Sequence, residues 1–185
     1  VRVHSPMMSF HSIPFRALPL IALTAFSGSG HAQEFIPDTL VRNWLNTVIP
    51  GIVDANGIMD TLHPGIAVLD SAQLGFAFPV EYDTLDLYGI QYLDSLKVLN
   101  VFSGVNGATT VNCPELPISL HTLSIGSTAG TLNLPQLPTS LRTLNVYGNG
   151  PDPVGVNIIG MPPFLEHANF SEITDVNWAG TCHTE

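Results

Sequence analysis

The residues with the clearest potential for binding chemistry are amides, hydroxyls and aromatic rings that recur within a repeated phrase. The phrase reads LKVLNV at 96–101, LHTLSI at 120–125, LRTLNV at 141–146 and LEHANF at 165–170. A β-strand sends successive side chains to opposite faces, so alternate residues of each copy should point to solvent. The predicted face residues are Val98, Asn100, Phe102, Thr122, Ser124, Gly126, Thr143, Asn145, Tyr147, His167, Asn169 and Ser171.

Two aromatic residues stand out on this predicted face. Phe102 and Tyr147 occupy the same position of the repeat, two copies apart. An exposed aromatic ring beside short hydrogen-bonding groups is a common binding anchor. Alternatively, the two rings cover the strand ends and contact only the neighbouring loops. The sequence leaves both interpretations open.

Signals for catalysis or metal binding are weak. The segment that starts at Asp54-Ala-Asn56-Gly57 partly resembles a calcium loop, but Ile58, Met59 and Gly65 occupy positions that need an oxygen ligand, glycine and glutamate. We therefore predict a plain turn. The sequence contains no G-x-S-x-G elbow, phosphate loop or dinucleotide fingerprint. His63, His121, His167 and His183 show no metal-ligand spacing. We predict no enzymatic activity, no cofactor and no metal site.

The repeats must be positioned by a solenoid. The leading leucines are 24, 21 and 24 residues apart, a period typical of proteins that stack one short strand per turn. Leu116-Pro117 and Leu137-Pro138 should keep the return segments extended or 3₁₀-like, since proline cannot continue a helix. Two inward columns are predicted, Leu99, Leu123, Leu144 and Ala168 in one and Val101, Ile125, Val146 and Phe170 in the other, with Leu96, Leu120, Leu141 and Leu165 at the turns into the strands.

Three regions are predicted along the chain. Residues 1–32 have the charged start, the apolar run Ala17–Phe26 and the small residues Gly28–Ala32 of a secretory signal peptide, although a buried apolar segment is the alternative. Residues 33–65 should form an N-terminal cap with a helix over 38–49 that begins at Asp38. Residues 66–185 form the repeat domain, with an irregular strand at Ile66–Leu69, a loop over 71–85, regular repeats at 96–119, 120–140 and 141–164, and a degenerate one at 165–185.

Charge excludes two classes of partner. The whole chain carries a net charge of −10. Without residues 1–32, Arg42, Lys97 and Arg142 oppose fifteen acidic residues, a net charge of −12. Nucleic acids and anionic membranes need basic patches, so neither is an expected partner. No later apolar run is long enough to insert in a membrane.

The two cysteines are predicted to stay unpaired. Cys113 and Cys182 each lie 17 residues after a leading leucine, on a rung that Leu134 and Ile158 fill in the other repeats. Three strand spacings would separate them by roughly 14 Å, and a disulfide needs Cα atoms within about 7 Å. We expect both to be small buried apolar residues.

These features resemble secreted bacterial leucine-rich repeat proteins of the internalin-like and Bacteroidetes-type extracellular groups. The resemblance rests on the Leu-Pro units that precede SLxxLxV, on Ile36-Pro37-Asp38, on Asp54–Gly57 and on the DLYGIQYLDSL phrase at 86–96. It implies an α/β solenoid with a short parallel β-sheet, few helices on its convex side and an N-terminal helical cap. It also implies binding of a protein or glycan through the concave strand face at Val98, Asn100, Phe102, Thr122, Ser124, Thr143, Asn145, Tyr147, His167 and Asn169. The alternatives are a structural or self-associating surface or matrix protein, or a truncated piece of a larger surface protein.

Overall fold

Two parallel β-sheets of five strands each account for most of the fold. The computed structural model describes residues 33–76, 84–103, 110–127, 130–148 and 154–179. All of these belong to one compact unit, residues 31–185. The strands are β1 (Gln33–Phe35), β2 (Ile58–Asp60), β3 (Ser71–Phe76), β4 (Thr84–Asp86), β5 (Val98–Ser103), β6 (Thr110–Asn112), β7 (Thr122–Ser127), β8 (Gly130–Gln136), β9 (Thr143–Gly148), β10 (Val154–Ile159), β11 (His167–Ser171) and β12 (Ile173–Ala179).

The chain alternates between the two sheets, which makes a parallel β-solenoid of about four turns. One sheet has the order β11-β9-β7-β5-β3, and we call it the odd sheet. The other has the order β12-β10-β8-β6-β4, and we call it the even sheet. The predicted parallel sheet is therefore confirmed as the odd sheet. The return segments, predicted to be extended or 3₁₀-like, include strands of a second sheet.

The core lies between the sheets and follows the predicted inward columns. Leu99, Leu123 and Leu144 are paired in register and buried, as are Val101, Ile125 and Val146. The apolar residues of the even sheet, such as Leu132 and Ile158, belong to the same buried cluster. The columns weaken at the last strand, where Ala168 is exposed and Phe170 is only partly buried. No strand of the described chain covers that last turn on its outer side.

The Leu-Pro corners are fixed by serine side chains. The Ser119 hydroxyl donates to the carbonyl of Leu96 over 2.8 Å, one turn earlier. The Ser140 hydroxyl lies 2.7 Å from the carbonyl of Leu120 and 2.6 Å from that of Ile118, again one turn earlier. Each corner thus ties two turns together through hydrogen bonds to backbone oxygens. In the last turn Phe164 replaces this serine. Its ring packs against the guanidinium of Arg142, whose Cζ lies 5.0 Å from the ring centroid.

The region before the solenoid contains helix α1 (Thr39–Val48), as predicted. Asp38 is its N-cap, and its carboxylate accepts hydrogen bonds from the backbone N–H groups of Leu40 and Val41. The indole N–H of Trp44 donates to the carbonyl of Gln73 in β3 over 3.0 Å, so the helix lies against the first strand of the odd sheet. No helix among the described residues is long and apolar enough to cross a membrane.

Two local predictions were wrong. Residues 71–85 were expected to form a loop, but Ser71–Phe76 form β3, and the small residues Ala72 and Gly75 hide the apolar alternation of this strand. Residues 77–83 lie outside the described residues. The strand predicted at Ile66–Leu69 falls instead on a 3₁₀ helix, Pro64–Val68. This helix starts at a proline and is capped by the ring nitrogen of His63, which accepts from Gly65 N–H. A second 3₁₀ helix spans Ile90–Tyr92.

Candidate functional site

The outward side chains of the odd sheet form three parallel rows, which together we call the strand face. Neighbouring strands of a sheet lie ~4.8 Å apart, so each row repeats its side chains at that distance. The first row is Ser71, Val98, Thr122, Thr143 and His167; the middle row is Gln73, Asn100, Ser124, Asn145 and Asn169; the third row is Gly75, Phe102, Gly126, Tyr147 and Ser171. All ten residues predicted for binding therefore lie on one surface.

The strand face is less open than predicted. His167 and Asn169 are exposed, but most of the other predicted residues are only partly exposed. Ser124 was expected to point to solvent, and it is only 8% exposed. The reason is crowding, because Ser124 lies between two longer amide side chains of the middle row and accepts a hydrogen bond from the Asn145 amide over 3.2 Å.

The third row alternates glycines with aromatic residues. Phe102 is paired with Gly126, and Gly126 is paired with Tyr147. The two rings therefore rise two strand spacings apart, roughly 10 Å, on either side of a position without a side chain. A Cβ placed at Gly75, on the other side of Phe102, would meet no atom within 4 Å. Gly126 itself is buried, so this position between the two aromatic side chains is covered although it carries no side chain.

The chemistry of the strand face is that of a neutral hydrogen-bonding surface. Its middle row consists of amides and one hydroxyl, and each amide offers both a donor and an acceptor. Among the residues of the three rows, only His167 and Tyr147 have titratable side chains. Such a surface can hydrogen-bond to an uncharged ligand while the aromatic row provides apolar contact.

Sequence reasoning missed the part of the strand face that β3 contributes. Gln73 extends the middle row and Gly75 the third row by one more strand. A usable signal was present, because Leu69, Ala72 and Leu74 stand at the same mutual offsets as Leu96, Leu99 and Val101. The register of β3 with β5 pairs the last two of each set.

Sequence reasoning also missed an asparagine ladder on the outer surface of the even sheet. Asn112, Asn133, Asn157 and Asn177 are paired in register on β6, β8, β10 and β12. The Asn157 amide donates to the Asn133 side-chain oxygen over 2.9 Å, which links two members of the ladder directly. The signal was an asparagine after an apolar residue in each return segment. This ladder stabilises the sheet, as stacked amides do in other parallel sheets.

The other candidates from the sequence have local structural roles. Asp54 forms the predicted plain turn, in which its carboxylate accepts from the backbone N–H groups of Asn56 and Ile58, each over 2.8 Å. These hydrogen bonds, with the one from Ile58 contributing most, hold the pKa of Asp54 below its usual value. Within the described ranges no cluster of His, Cys, Asp and Glu side chains could hold a metal ion. His183, like residues 1–32, lies outside those ranges.

A tyrosine pair lies before the regular repeats. The Tyr88 and Tyr92 hydroxyls are 3.1 Å apart, and the Tyr88 hydroxyl lies 3.3 Å from a carboxylate oxygen of Glu34. The hydrogen bond with Tyr88 raises the pKa of Tyr92, with burial adding to the effect. Because the Tyr88 hydroxyl joins β1 to the segment before β5, this cluster helps to hold the N-terminal region on the solenoid.

The cysteine prediction is partly corrected. Cys113 is a free, buried thiol, and burial raises its pKa, so it is a small core residue as expected. Cys113, Leu134 and Ile158 occupy the same position in successive turns of the even sheet, as predicted. In the last turn, however, the register of β10 with β12 places Trp178 at this position, next to Ile158. Cys182 was predicted for that place and lies outside the described residues. The tight link between β11 and β12 makes the last turn shorter than the spacing of the earlier ones suggested.

A groove of about 520 Å³ lies between two successive Leu-Pro corners, away from the strand face. Its lining includes Leu116, Ile118, Leu137 and Pro138. It carries a single charged side chain, Glu115, and shares no residue with the three rows. The strand face is therefore the better candidate for ligand recognition.

The fold and the strand face define this chain as a parallel β-solenoid protein with an uncharged, regularly spaced surface on one sheet. No protein-family model, no curated protein and no solved structure matches the chain. Its function is therefore inferred from the geometry and chemistry of the strand face.

Proposed function

We propose that this chain is a secreted leucine-rich repeat protein without enzymatic activity, whose strand face binds a protein or a glycan. In this proposal residues 1–32 are a signal peptide, residues 33–65 form the N-terminal cap and residues 66–185 form the repeat domain. The leading leucines support the repeat class, because Leu96, Leu120 and Leu141 are all fully buried at the same place in successive turns.

The observation that carries the binding proposal is the third row of the strand face. Phe102 and Tyr147 flank Gly126 beside an amide row, so apolar contact and hydrogen bonding are available side by side. Aromatic side chains contribute much of the energy of protein recognition sites, and neighbouring polar groups provide orientation and specificity. No other outward row on the described part of either sheet carries two aromatic residues, and the amide row lies directly beside this one.

Within this proposal, the absence of charge on the three rows favours a neutral glycan over a protein. The hydroxyl groups of a sugar can donate to and accept from amide side chains, which do both. The flat faces of sugar rings provide apolar surface for Phe102 and Tyr147. A protein partner is the alternative, and a binding assay that includes both classes separates them.

The first experiment compares the wild type with the double variant Phe102→Ala/Tyr147→Ala on an array of neutral oligosaccharides and, separately, on extracellular proteins. We expect wild type to bind members of one class and the double variant to lose that binding at least tenfold, as for loss of two aromatic anchors. Phe164→Ala is the matched control, because Phe164 is an exposed aromatic residue, 61% exposed, outside the strand face.

Two results would contradict the proposal. In the first, the double variant retains every interaction of wild type. In the second, Phe164→Ala weakens binding as much as the double variant, which would place the ligand elsewhere. Circular dichroism of each variant distinguishes loss of binding from loss of fold.

Secretion has its own test. The proposal predicts that the protein from the culture supernatant of an expressing bacterium begins near Gln33. Recovery of full-length protein, with residues 1–32 attached and retained in the cells, would contradict the signal-peptide assignment.

A structural role is the second candidate function. It is favoured by β11 and β12, which are the terminal strands of their sheets and have no described strand on their outer sides. Uncovered edges of this kind are sites of association between chains.

A further inference from the structure

The two terminal strands of the odd sheet differ in whether another element lies against their outer edge. At the β3 end, α1 lies against the strand, and the Trp44 indole donates to the Gln73 carbonyl. At the opposite end β11 is paired with β9 on one side, and no strand in the described ranges pairs with its other side. Among the described residues, the odd sheet thus has one edge covered by a helix and one edge, that of β11, without a paired strand.

The open edge of β11 presents a defined set of backbone groups. The N–H of His167 donates to the Arg142 carbonyl over 3.0 Å, so His167 bonds toward β9. In a parallel sheet successive residues direct their N–H and C=O groups to opposite edges of the strand. The groups of Ala168 and Phe170 therefore point outward, away from β9.

The core beneath this edge is incompletely covered. Val146 and Ile158 are fully buried, whereas their neighbours in the last turn, Phe170 and Trp178, are only partly buried. The rings of Phe170 and Trp178 meet edge to face with centroids 5.8 Å apart. Apolar surface of this kind at the end of a sheet is stabilised when another strand covers it.

We propose that the β11 edge pairs with β11 of a second copy of this chain, antiparallel and around a two-fold axis at Asn169. In this arrangement Ala168 of one copy lies opposite Phe170 of the other, and each pair exchanges two backbone hydrogen bonds. The four hydrogen bonds use the N–H and C=O groups that point outward at these two positions. The two Asn169 side chains then face each other across the axis.

Three features of the edge fit a second copy. The small Ala168 leaves room for the large Phe170 of the partner, so the edge is complementary to itself in size. The Phe170 and Trp178 rings of each copy cover the end of the other core. Because α1 occupies the opposite end, head-to-tail addition is blocked, and the assembly closes as a dimer with an isologous interface.

Charge sets a limit on the affinity. In the antiparallel pairing Glu172 of one copy lies opposite Glu166 of the other, just beyond the paired residues. Glu166 is 3.7 Å from Arg142, which offsets part of the repulsion. Like charges directly opposite each other weaken strand pairing. The dimer is therefore expected to tighten when Glu172 loses its charge.

Sedimentation equilibrium of the full chain tests the proposal. We expect a reversible monomer–dimer equilibrium with no larger species. Ala168→Pro should shift the chain to monomer, because proline removes the outward N–H in both copies without breaking a bond to β9. Ile118→Pro is the matched control. Ile118 is an exposed corner residue, and the last turn already has a proline, Pro163, at the same position. The Ile118→Pro variant should therefore fold and dimerise like wild type.

Two further variants test the position of the axis. Asn169→Asp places two carboxylates opposite each other and should weaken the dimer by about tenfold or more, with an unchanged fold. Glu172→Asn should tighten it, and asparagine also tolerates the positive φ of 58° at this position. A wild-type chain that stays monomeric at all concentrations would overturn the proposal. So would a dimer that is insensitive to both Ala168→Pro and Asn169→Asp.

Discussion

Leu144 and Asn145 are adjacent residues on opposite sides of β9, and truncating each tests the assignment of the two faces. Leu144 is fully buried and paired in register with Leu123 and Ala168. Leu144→Ala should lower the free energy of unfolding by about 2–5 kcal/mol, through lost burial and a residual cavity. Asn145→Ala removes one partly buried hydrogen bond, to Ser124, and should cost about 0.5–1.5 kcal/mol.

The expected difference is measurable by thermal and urea unfolding. For a chain of 185 residues, about 1 kcal/mol corresponds to roughly 2–4 °C in Tm. Leu144→Ala should therefore lower Tm by about 4–20 °C and Asn145→Ala by about 1–6 °C. Solenoids can unfold from one end. Trp44 near β3 and Trp178 in β12 are the two tryptophans of the chain, and single Trp→Phe variants allow each end to be followed separately.

Equal losses of stability for the two variants would refute the assignment, because a buried leucine should lose more burial than an outward asparagine. A larger loss for Asn145→Ala than for Leu144→Ala would mean that the inward and outward faces of β9 are interchanged. Leu123→Ala provides an internal check, since Leu123 lies between two buried leucines and should cost at least as much as Leu144→Ala.

Three other variants test local features of the solenoid. Gly148→Ala should cost about 1–3 kcal/mol, because the new Cβ would come within 2.2 Å of the Glu172 carbonyl oxygen, whereas Gly155→Ala meets no atom within 4 Å and should be tolerated better in the same urea titration. Ser140→Ala removes the single hydroxyl proton that the Ile118 and Leu120 carbonyls share and should lower the free energy of unfolding by about 0.5–1.5 kcal/mol, seen as a lower midpoint of urea unfolding; an unchanged midpoint would contradict that role. The carboxyl of Asp54 should titrate by NMR with a midpoint below 3.8, its contribution to stability being present above pH 3.8 and lost as the pH falls through the lower folded-state pKa; a midpoint at or above 3.8 would contradict the turn geometry.

The regular part of the fold could be predicted from the sequence because its signal is local and repeated. The phrase that begins at Leu96, Leu120 and Leu141 specifies strand, face and register at once, since a shift by one residue would turn every leucine to solvent. The helix before the repeats was equally accessible from Asp38 and the apolar spacing of 38–49, and it was found at Thr39–Val48.

The parts that were missed carry weaker local signals. β3 places Ala72 and Gly75 where later turns have Leu99 and Phe102, so its alternation is diluted and its assignment depends on pairing with β5. The even sheet is also set by tertiary pairing, because β6 contains only three residues, Thr110–Asn112. The burial of Ser124 depends on neighbours in adjacent turns, which the period of the sequence aligns but whose crowding it does not reveal.

Within the strand face, the sequence predicted which residues share a surface but not which residues of neighbouring strands lie side by side. The alternation around Leu144 identifies Asn145 and Tyr147 as outward residues. The placement of Gly126 between the two aromatic residues emerges from the register of three strands, because the repeats that supply Phe102 and Tyr147 are not adjacent.

The most direct test of the central claim is the binding of the folded wild type and of Phe102→Ala/Tyr147→Ala to the same array of neutral oligosaccharides and extracellular proteins, with Phe164→Ala as the control. We expect wild type and Phe164→Ala to bind alike and the double variant to lose binding at least tenfold. Equal binding by all three folded proteins would contradict the claim that the strand face is the recognition surface.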